Sequence, residues 1–136
     1  MKCRELTGEI ISCFYKVYND MGYGFLEKVY ERAMLIELQG RRIACTRQHP
    51  ISVYYDDRLV GEYFADILVD GKVIVELKAA TNIIEEHECQ LINYLKATEI
   101  EIGLLLNFGP KPQFKRKIFS NNNPRKPAKS ASSASH

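Results

Sequence analysis

The chain has 136 residues, of which 46% are hydrophobic and 26% are charged. This length fits one domain, since typical domains have roughly 100–150 residues, and the composition is ordinary for a globular protein. No stretch approaches the roughly 20 apolar residues of a membrane-spanning helix, and the N-terminus lacks the apolar core of a secretory signal. We therefore expect a cytoplasmic protein without a membrane partner.

The net charge of +2 is unevenly distributed along the chain. No acidic residue follows Glu101, whereas seven basic residues do: Lys111, Lys115, Arg116, Lys117, Arg125, Lys126 and Lys129. An acidic body with a basic C-terminal segment favours an anionic partner, and nucleic acid is the obvious one. A solubilising role for the segment is the alternative, and composition alone does not decide between the two.

The four cysteines, Cys3, Cys13, Cys45 and Cys89, form no CxxC pair, and their spacings match no zinc template. Cys13 and Cys89 fall within helical patterns, where a free thiol behaves as a small hydrophobic group. We therefore predict buried structural cysteines and no disulfides or cysteine-bound metal.

The N-terminal part of the chain has helical periodicity. Apolar residues at spacings of three and four predict one helix over 5–19 and a second over about 25–39. Two glycines in the segment 20–24 separate the helices. We expect Gly40 to end the second helix in a left-handed cap.

From Arg42 the hydrophobic period changes to two, which is typical of strands. Strands are predicted around 51–55, over 59–69 and over 72–77, with turns at Asp56–Asp57 and Asp70–Gly71. Pro50 is expected to mark the start of a strand or a bulge.

The C-terminal part begins with helical spacing over 83–98, where acidic residues in the first turns suit the helix dipole. The apolar run 101–108 is typical of a strand buried on both faces, and 114–119 is expected to add an edge strand. From Ser120 the composition is that of a disordered tail. The predicted order is ααβββαβ(β), with an α/β domain over 1–119 and a disordered basic tail over 120–136.

Three ionisable residues lie in or beside strands that otherwise contain valine, isoleucine and leucine: Asp66, Glu76 and Lys78. Burying a charge costs several kcal/mol unless it is paired or bound to a metal. Glu76 and Lys78 are two residues apart, so they project from the same face of the sheet. They therefore form either a structural ion pair or a functional site.

The position of Asp66 distinguishes these alternatives. A turn of two residues at Asp70–Gly71 would pair Val69 with Lys72 and direct Asp66 away from Glu76. A loop of three residues over Asp70 to Lys72, or one bulge, would place Asp66 opposite Glu76. Two carboxylates on one face suit Mg²⁺ or Mn²⁺, and a nearby lysine can orient a metal-bound water or offset phosphate charge.

These residues resemble a known family. Asp66 followed by Glu76-Leu77-Lys78 is similar to the D…(D/E)xK motif of the PD-(D/E)XK nucleases, although Ala65 precedes Asp66 where the family name has proline. The predicted order resembles their restriction-endonuclease-like αβββαβ core, in which helices flank a mixed central sheet. Two further similarities extend the resemblance over residues 5–119: the QxxxY element of RecB-type nucleases at Gln90 and Tyr94, and the motif of the GxxExxY family at Gly24, Glu27 and Tyr30.

The resemblance implies a metal-dependent nuclease that hydrolyses phosphodiester bonds, with Mg²⁺ or Mn²⁺ as cofactor. We favour DNA over RNA as the nucleic-acid partner, although the sequence does not decide between them. It assigns metal binding to Asp66, Glu76, Glu27 and the carbonyl of Leu77. It assigns assistance of the attacking water to Lys78. Gln90, Tyr94 and Tyr30 would contact substrate or support the site.

Other interpretations remain open at this stage. The fold could serve a catalytically weak or inactive module for nucleic-acid binding or complex assembly, and a homodimer is also compatible with the sequence. Tyr30 and Tyr94 could be ordinary half-buried aromatic residues, Gln90 a surface residue and Glu27 an exposed helix carboxylate. For His87 we favour a helix histidine over a residue at the rim of the site.

Overall fold

The computed structural model describes residues 3–126 of the chain. Its elements, in chain order, are α1 (Arg4–Met21), α2 (Glu27–Gly40), β1 (Cys45–Tyr55), β2 (Arg58–Val69), β3 (Val73–Lys78), α3 (Glu85–Lys96), β4 (Ile102–Phe108) and β5 (Pro112–Ile118). This order confirms the α/β fold class predicted from the sequence.

The five strands form one mixed sheet in the order β1-β2-β3-β4-β5. Strands β3 and β4 are parallel, and the other neighbouring strands are antiparallel. Helix α3 connects β3 to β4, because parallel neighbours need a crossover. The predicted edge strand is confirmed as β5. The prediction that Pro50 marks a strand start or a bulge is wrong, because β1 begins at Cys45 and its register shifts between Val53 and Tyr54. Pro50 instead lies within the other edge strand, where a missing amide donor is tolerated.

Helices cover both faces of the sheet. On one face, α1 and α2 pack against a cluster of buried apolar residues that includes Ile67, Val75 and Leu104. On the other face, α3 packs against a smaller cluster that includes Ala65 and Ile74. Strand β4 is buried along its whole length, as its continuous apolar run predicts.

Strand β2 departs from regular geometry at Asp66. Ala65 packs in the cluster with α3 and Ile67 in the cluster with α1 and α2, although residues two apart in a regular strand share a face. The pairing with β1 skips Asp66, and Gln48 on β1, between the paired partners, has a positive φ of 53°. The irregularity therefore lies at a residue that the sequence singled out for metal binding.

The predicted left-handed cap at Gly40 is wrong. Gly40 is the last residue of α2, and the positive φ of 61° belongs to Arg42. The helix runs further than predicted because the amide of Arg41 still bonds to the carbonyl of Glu37 and that of Ile43 to Leu38. By contrast, Asp56 and Asp57 both have positive φ, as a hairpin turn of two residues requires.

All four cysteines are free. Cys13 is buried, and its burial raises the thiol pKa to about 11, which agrees with a structural role. The expectation of burial is wrong for Cys89, which lies on the exposed side of α3, while Cys3 and Cys45 are half-buried. No helix among residues 3–126 is long and apolar enough to cross a membrane.

Residues 120–126 contain turns but neither helix nor strand. They nevertheless contact the body of the molecule, since the Asn121 amide donates to Glu101 at 2.7 Å and the Lys126 ammonium donates to the carbonyls of Ile100 and Phe119. These contacts extend past the predicted domain boundary at residue 119. The rest of the predicted tail, 127–136, lies outside the described residues.

Candidate metal centre and active site

The connection between β2 and β3 sets the register on which the site depends. Val69 pairs with Val73 and Ile67 with Val75, so the loop contains three residues, Asp70 to Lys72. Continuing the same pairing by one residue beyond Ile67 and Val75 sets Asp66 opposite Glu76. A site shared by the two carboxylates requires this register.

Beyond the Ile67–Val75 pair, side-chain carboxylates accept the hydrogen bonds between β2 and β3 in place of backbone carbonyls. The Asp66 amide donates to Oε2 of Glu76 at 2.8 Å, and the Leu77 amide donates to Oδ2 of Asp66 at 2.8 Å. Each carboxylate thus accepts a hydrogen bond from the opposite strand. These two hydrogen bonds hold the side chains of Asp66 and Glu76 against the facing strands of the β2–β3 pair.

Burial and the charges of neighbouring carboxylates raise the pKa values of both carboxyls. Glu76 is only 5% exposed, and burial, followed by the charge of Asp66, raises its pKa to about 8. Burial also raises the pKa of Asp66, with further contributions from the charges of Glu31 and Glu27. Two adjacent carboxylates of this kind favour a bound cation, which would relieve the repulsion.

Lys78 is half-buried at the end of β3. Its positive charge lowers the pKa of Asp66, Glu76 and His87. Within residues 3–126, however, Lys78 makes no ion pair. A simple Glu76–Lys78 salt bridge therefore does not account for the charges in this part of the sheet.

Glu27 approaches the same site from the first residue of α2. Its Oε2 accepts a long hydrogen bond of 3.4 Å from the Ala79 amide, just after β3. Its charge also raises the pKa of Asp66 and Glu76. Over residues 3–126, no three Asp, Glu, His or Cys side chains are close enough to form a metal cage, so Glu27 lies beside the carboxylate pair without completing it.

The donor set fits a hard divalent ion. Asp66 and Glu76 offer carboxylate oxygens, which Mg²⁺ and Mn²⁺ prefer, and Leu77 adds a backbone carbonyl between Glu76 and Lys78. Mg²⁺ usually binds through one or two carboxylates and retains several waters. A pair of carboxylates is therefore sufficient for such a site.

Tyr30 is fully buried and shapes the loop that precedes Glu27. Its hydroxyl donates to the Gly22 carbonyl at 2.7 Å and accepts from the Phe25 amide at 3.2 Å, while its ring stacks on Phe108 at 4.1 Å. Gly24, between Gly22 and Phe25, has a φ of 114°, a backbone conformation that favours glycine. Glycine, glutamate and tyrosine of the GxxExxY pattern therefore belong to one structural unit.

Tyr94 is buried against the carboxylate pair. Its pKa is raised to about 12 by burial and then by the charges of Glu76 and Asp66, and its ring lies 5.7 Å from that of Tyr63. Gln90, one turn earlier on α3, is half-buried and lines with Tyr94 a groove of about 900 Å³ between α3 and the β1–β2 hairpin. Asp66 and Glu76 do not line this groove.

His87 serves the helix rather than the site. Its Nδ1 accepts a hydrogen bond from the Ile84 amide at 3.3 Å, at the start of α3. Burial and the nearby charge of Lys78 lower its pKa. The interpretation of His87 as a helix histidine is consistent with this contact.

Glu31 is a buried residue that the sequence reasoning missed. Its carboxylate, on α2, accepts from Nε of Arg47 at 2.9 Å and from Nε2 of Gln48 at 3.0 Å. It thereby ties α2 to the irregular part of β1 that faces Asp66. Its position four residues after Glu27, on the same helix face, was the available signal.

Comparisons with known proteins agree with this architecture. Residues 4–117 match a family model described as the PD-(D/E)XK nuclease superfamily. The chain is also similar to the crystal structure of a protein named SSO0001, with a TM-score of 0.56 and 16% identity over 70% of this chain. That similarity concerns the fold alone, and the match spans about half (52%) of the other chain. A comparison with curated proteins gave no match.

Proposed function

We propose, since the chain belongs to the PD-(D/E)XK nuclease superfamily, that it is a metal-dependent nuclease that hydrolyses phosphodiester bonds of DNA. The observation that carries this proposal is the pair of hydrogen bonds between β2 and β3 in which the Glu76 carboxylate accepts from the Asp66 amide and the Asp66 carboxylate accepts from the Leu77 amide. A strand pair that served only packing would gain nothing from two adjacent buried carboxylates, because burying them is costly. A metal ion gives this arrangement a physical reason.

Within the superfamily, we assign the chain to the GxxExxY family. The support is structural as well as sequential, because Gly24, Glu27 and Tyr30 form one unit around the loop before α2. This unit would position Glu27 beside the carboxylate pair. In this proposal the motif serves to place a third acidic residue at the site.

Asp66, Glu76 and the Leu77 carbonyl would hold Mg²⁺ or Mn²⁺, with Glu27 beside them. When bound, the ion supplies Lewis acidity and a lowered pKa for the attacking water. Lys78 would orient that water or donate to a phosphate oxygen on which charge develops. Tyr94, whose pKa is about 12, stays protonated at neutral pH and would donate to the substrate, with Gln90 as its neighbour on α3.

A cleavage assay tests this function. Single-stranded DNA, duplex DNA and RNA are incubated with the protein in Mg²⁺, Mn²⁺ or EDTA. We expect cleavage of DNA that requires the metal and is abolished by Glu76→Ala. Glu62→Ala, at an exposed position on β2, is the control that should retain activity. Cleavage that survives in EDTA or in Glu76→Ala would contradict the proposed site.

One observation favours a second function on the same fold. Because no three metal-binding side chains cluster within residues 3–126, the chain could bind nucleic acid or assemble a complex with little catalysis. Binding to DNA without cleavage in either metal, unchanged by Glu76→Ala, would support this second function over the first.

A further inference from the structure

A cleft of about 520 Å³ opens beside Glu27. Its walls are three short segments: residues 23–27 before α2, residues 79–81 after β3 and residues 108–110 at the end of β4. We call it the Glu27 cleft. Its volume falls within the roughly 300–1,000 Å³ typical of small-molecule sites, and it adjoins the proposed metal centre through Glu27.

Two walls of the Glu27 cleft are fixed by tyrosine hydroxyls. The hydroxyl of Tyr30 bonds to both ends of the loop 22–25, as described above. The hydroxyl of Tyr18, on α1, lies 2.7 Å from the Gly109 carbonyl and 2.9 Å from the Pro110 carbonyl. These contacts join helical side chains to segments that would otherwise be free loops.

The third wall is fixed by Asn107, which is fully buried at the end of β4. Its side chain accepts from the Ala80 amide at 2.9 Å and donates to the Ala80 carbonyl at 3.0 Å. A Cβ on Gly109 would lie only 2.2 Å from that carbonyl oxygen, so glycine is required for this close approach. The cleft is therefore preorganised, which lowers the cost of binding a ligand.

The rim of the Glu27 cleft is apolar and exposed. Tyr23, Phe25 and Leu26 are 61%, 48% and 79% exposed, respectively. Among the described residues that line the cleft, Glu27 is the only charged one, and none is lysine or arginine. Such a lining does not suit a phosphate group, whereas it suits a flat, uncharged ring.

We propose that the Glu27 cleft binds the base of an unpaired nucleotide next to the phosphate that is cleaved, with Tyr23 as the stacking ring. This inference rests on the proposed nuclease function and narrows its substrate to single-stranded or frayed nucleic acid. Bases within a duplex have both faces covered by their neighbours, whereas an unpaired base can stack on an aromatic side chain regardless of sequence.

A fluorescence experiment reads this contact directly. The chain contains no tryptophan, so Tyr23→Trp introduces a single reporter. A short single-stranded DNA, with Ca²⁺ in place of Mg²⁺ to slow cleavage, should quench its fluorescence, and the same strand annealed to its complement should not. Tyr55→Trp, at a residue that is 76% exposed at the end of β1, is the matched control that should not respond.

The affinity of Tyr23→Ala provides the second measurement. Its affinity for the single strand should fall by roughly fivefold to 150-fold, as expected for one lost base stack, while Tyr55→Ala retains the wild-type value. Unchanged affinity in Tyr23→Ala, or an equal loss in Tyr55→Ala, would overturn the proposal. So would loss of self-association in Tyr23→Ala with unchanged DNA affinity, because the loop would then be a contact between copies.

The wild-type protein separates this inference from the function on which it rests. If the wild type cleaves DNA in a metal-dependent manner and Tyr23→Ala cleaves single strands equally well, the Glu27 cleft is wrongly assigned and the nuclease function stands. If the wild type neither binds nor cleaves any nucleic acid, both are wrong.

Discussion

The pKa of Glu76 links the proposed metal centre to the stability of the protein. Because that pKa is raised from 4.5 to about 8, the folded protein holds a proton between these values that the unfolded chain has released. The free energy of unfolding should therefore fall as pH rises through this window. The pKa of Asp66 is also raised, so Asp66 lowers the free energy of unfolding further as pH rises, starting at a lower pH than Glu76 does.

We accordingly predict that the protein in EDTA loses on the order of a few kcal/mol of stability between about pH 5 and about pH 8.5. Glu76→Gln should remove most of this loss and be more stable than the wild type at the higher pH. Denaturant titrations at both pH values measure the effect. Glu62→Gln, at an exposed position on β2, is the control. A wild type with equal stability at the two pH values would contradict the buried pair.

Lys78 can be separated from the proposed metal ligands by substitution. Lys78→Ala should retain the fold and most of the Mn²⁺ affinity but lose most cleavage, since the ammonium acts on the water or the phosphate. Glu76→Ala should lose metal binding and cleavage together. Calorimetric Mn²⁺ titration, melting temperatures with and without metal, and cleavage rates measure the three effects.

The opposite pattern would identify a structural ion pair. In that case Lys78→Ala would leave Glu76 as an unpaired buried charge and cost roughly 3–5 kcal/mol. The wild-type protein would also show no stabilisation by Mg²⁺ or Mn²⁺. That combination of results would exclude a metal centre at Asp66 and Glu76.

At the scale of secondary-structure elements, the connection between α1 and α2 depends on one hydroxyl. Tyr30→Phe keeps the ring stacked on Phe108 but removes the partner of the Gly22 carbonyl and the Phe25 amide. We predict a loss of about 1–3 kcal/mol and lower cleavage, because Glu27 loses its fixed position. Thermal unfolding and kcat/KM measure both effects.

Tyr15→Phe is the control for this substitution. Tyr15 lies on α1, and its ring contacts Phe14 and Phe114, contacts that phenylalanine preserves. Its stability and activity should match those of the wild type. Equal stability of Tyr30→Phe and the wild type would show that the loop before α2 does not depend on the tyrosine hydroxyl.

Local periodicity was sufficient to predict the elements of this fold. Helical spacing, alternation and the continuous apolar run 101–108 gave every helix and strand in the correct order. The requirement that Asp66 face Glu76 left two alternatives, a loop of three residues or one bulge, and the structure has the loop of three residues between β2 and β3. The prediction for the end of α2 was wrong because glycine only favours the left-handed conformation and does not require it. Arg42 takes that conformation instead.

Contacts between distant segments could not be predicted in the same way. Glu31 reads as an ordinary helix carboxylate until the fold brings Arg47 and Gln48 against it. Asn107 reads as part of an apolar strand, and its partner Ala80 is 27 residues away. The charged motif of the site was visible in the sequence, whereas the residues that hold its surroundings depend on tertiary packing.

At the scale of the whole molecule, the C-terminal segment has two separable parts. Lys126 donates to the carbonyls of Ile100 and Phe119 and to the side chain of Asn121. Its ammonium is therefore engaged within the molecule and is not free to bind phosphate. Deleting residues 121–136 removes these structural contacts, whereas deleting 127–136 leaves them in place and removes one cation, Lys129.

We predict different effects of these two deletions on DNA binding and stability. Each phosphate contact contributes about 0.7–0.9 to the slope of log affinity against log salt. Deleting 127–136 should therefore lower the slope by about 0.7–0.9 with an unchanged melting temperature. Deleting 121–136 should lower it by about twice that amount, because Arg125 is lost with Lys129, and should also lower the melting temperature. Fluorescence anisotropy across a salt titration measures the slopes, and equal slopes in all three proteins would assign the segment to solubility alone.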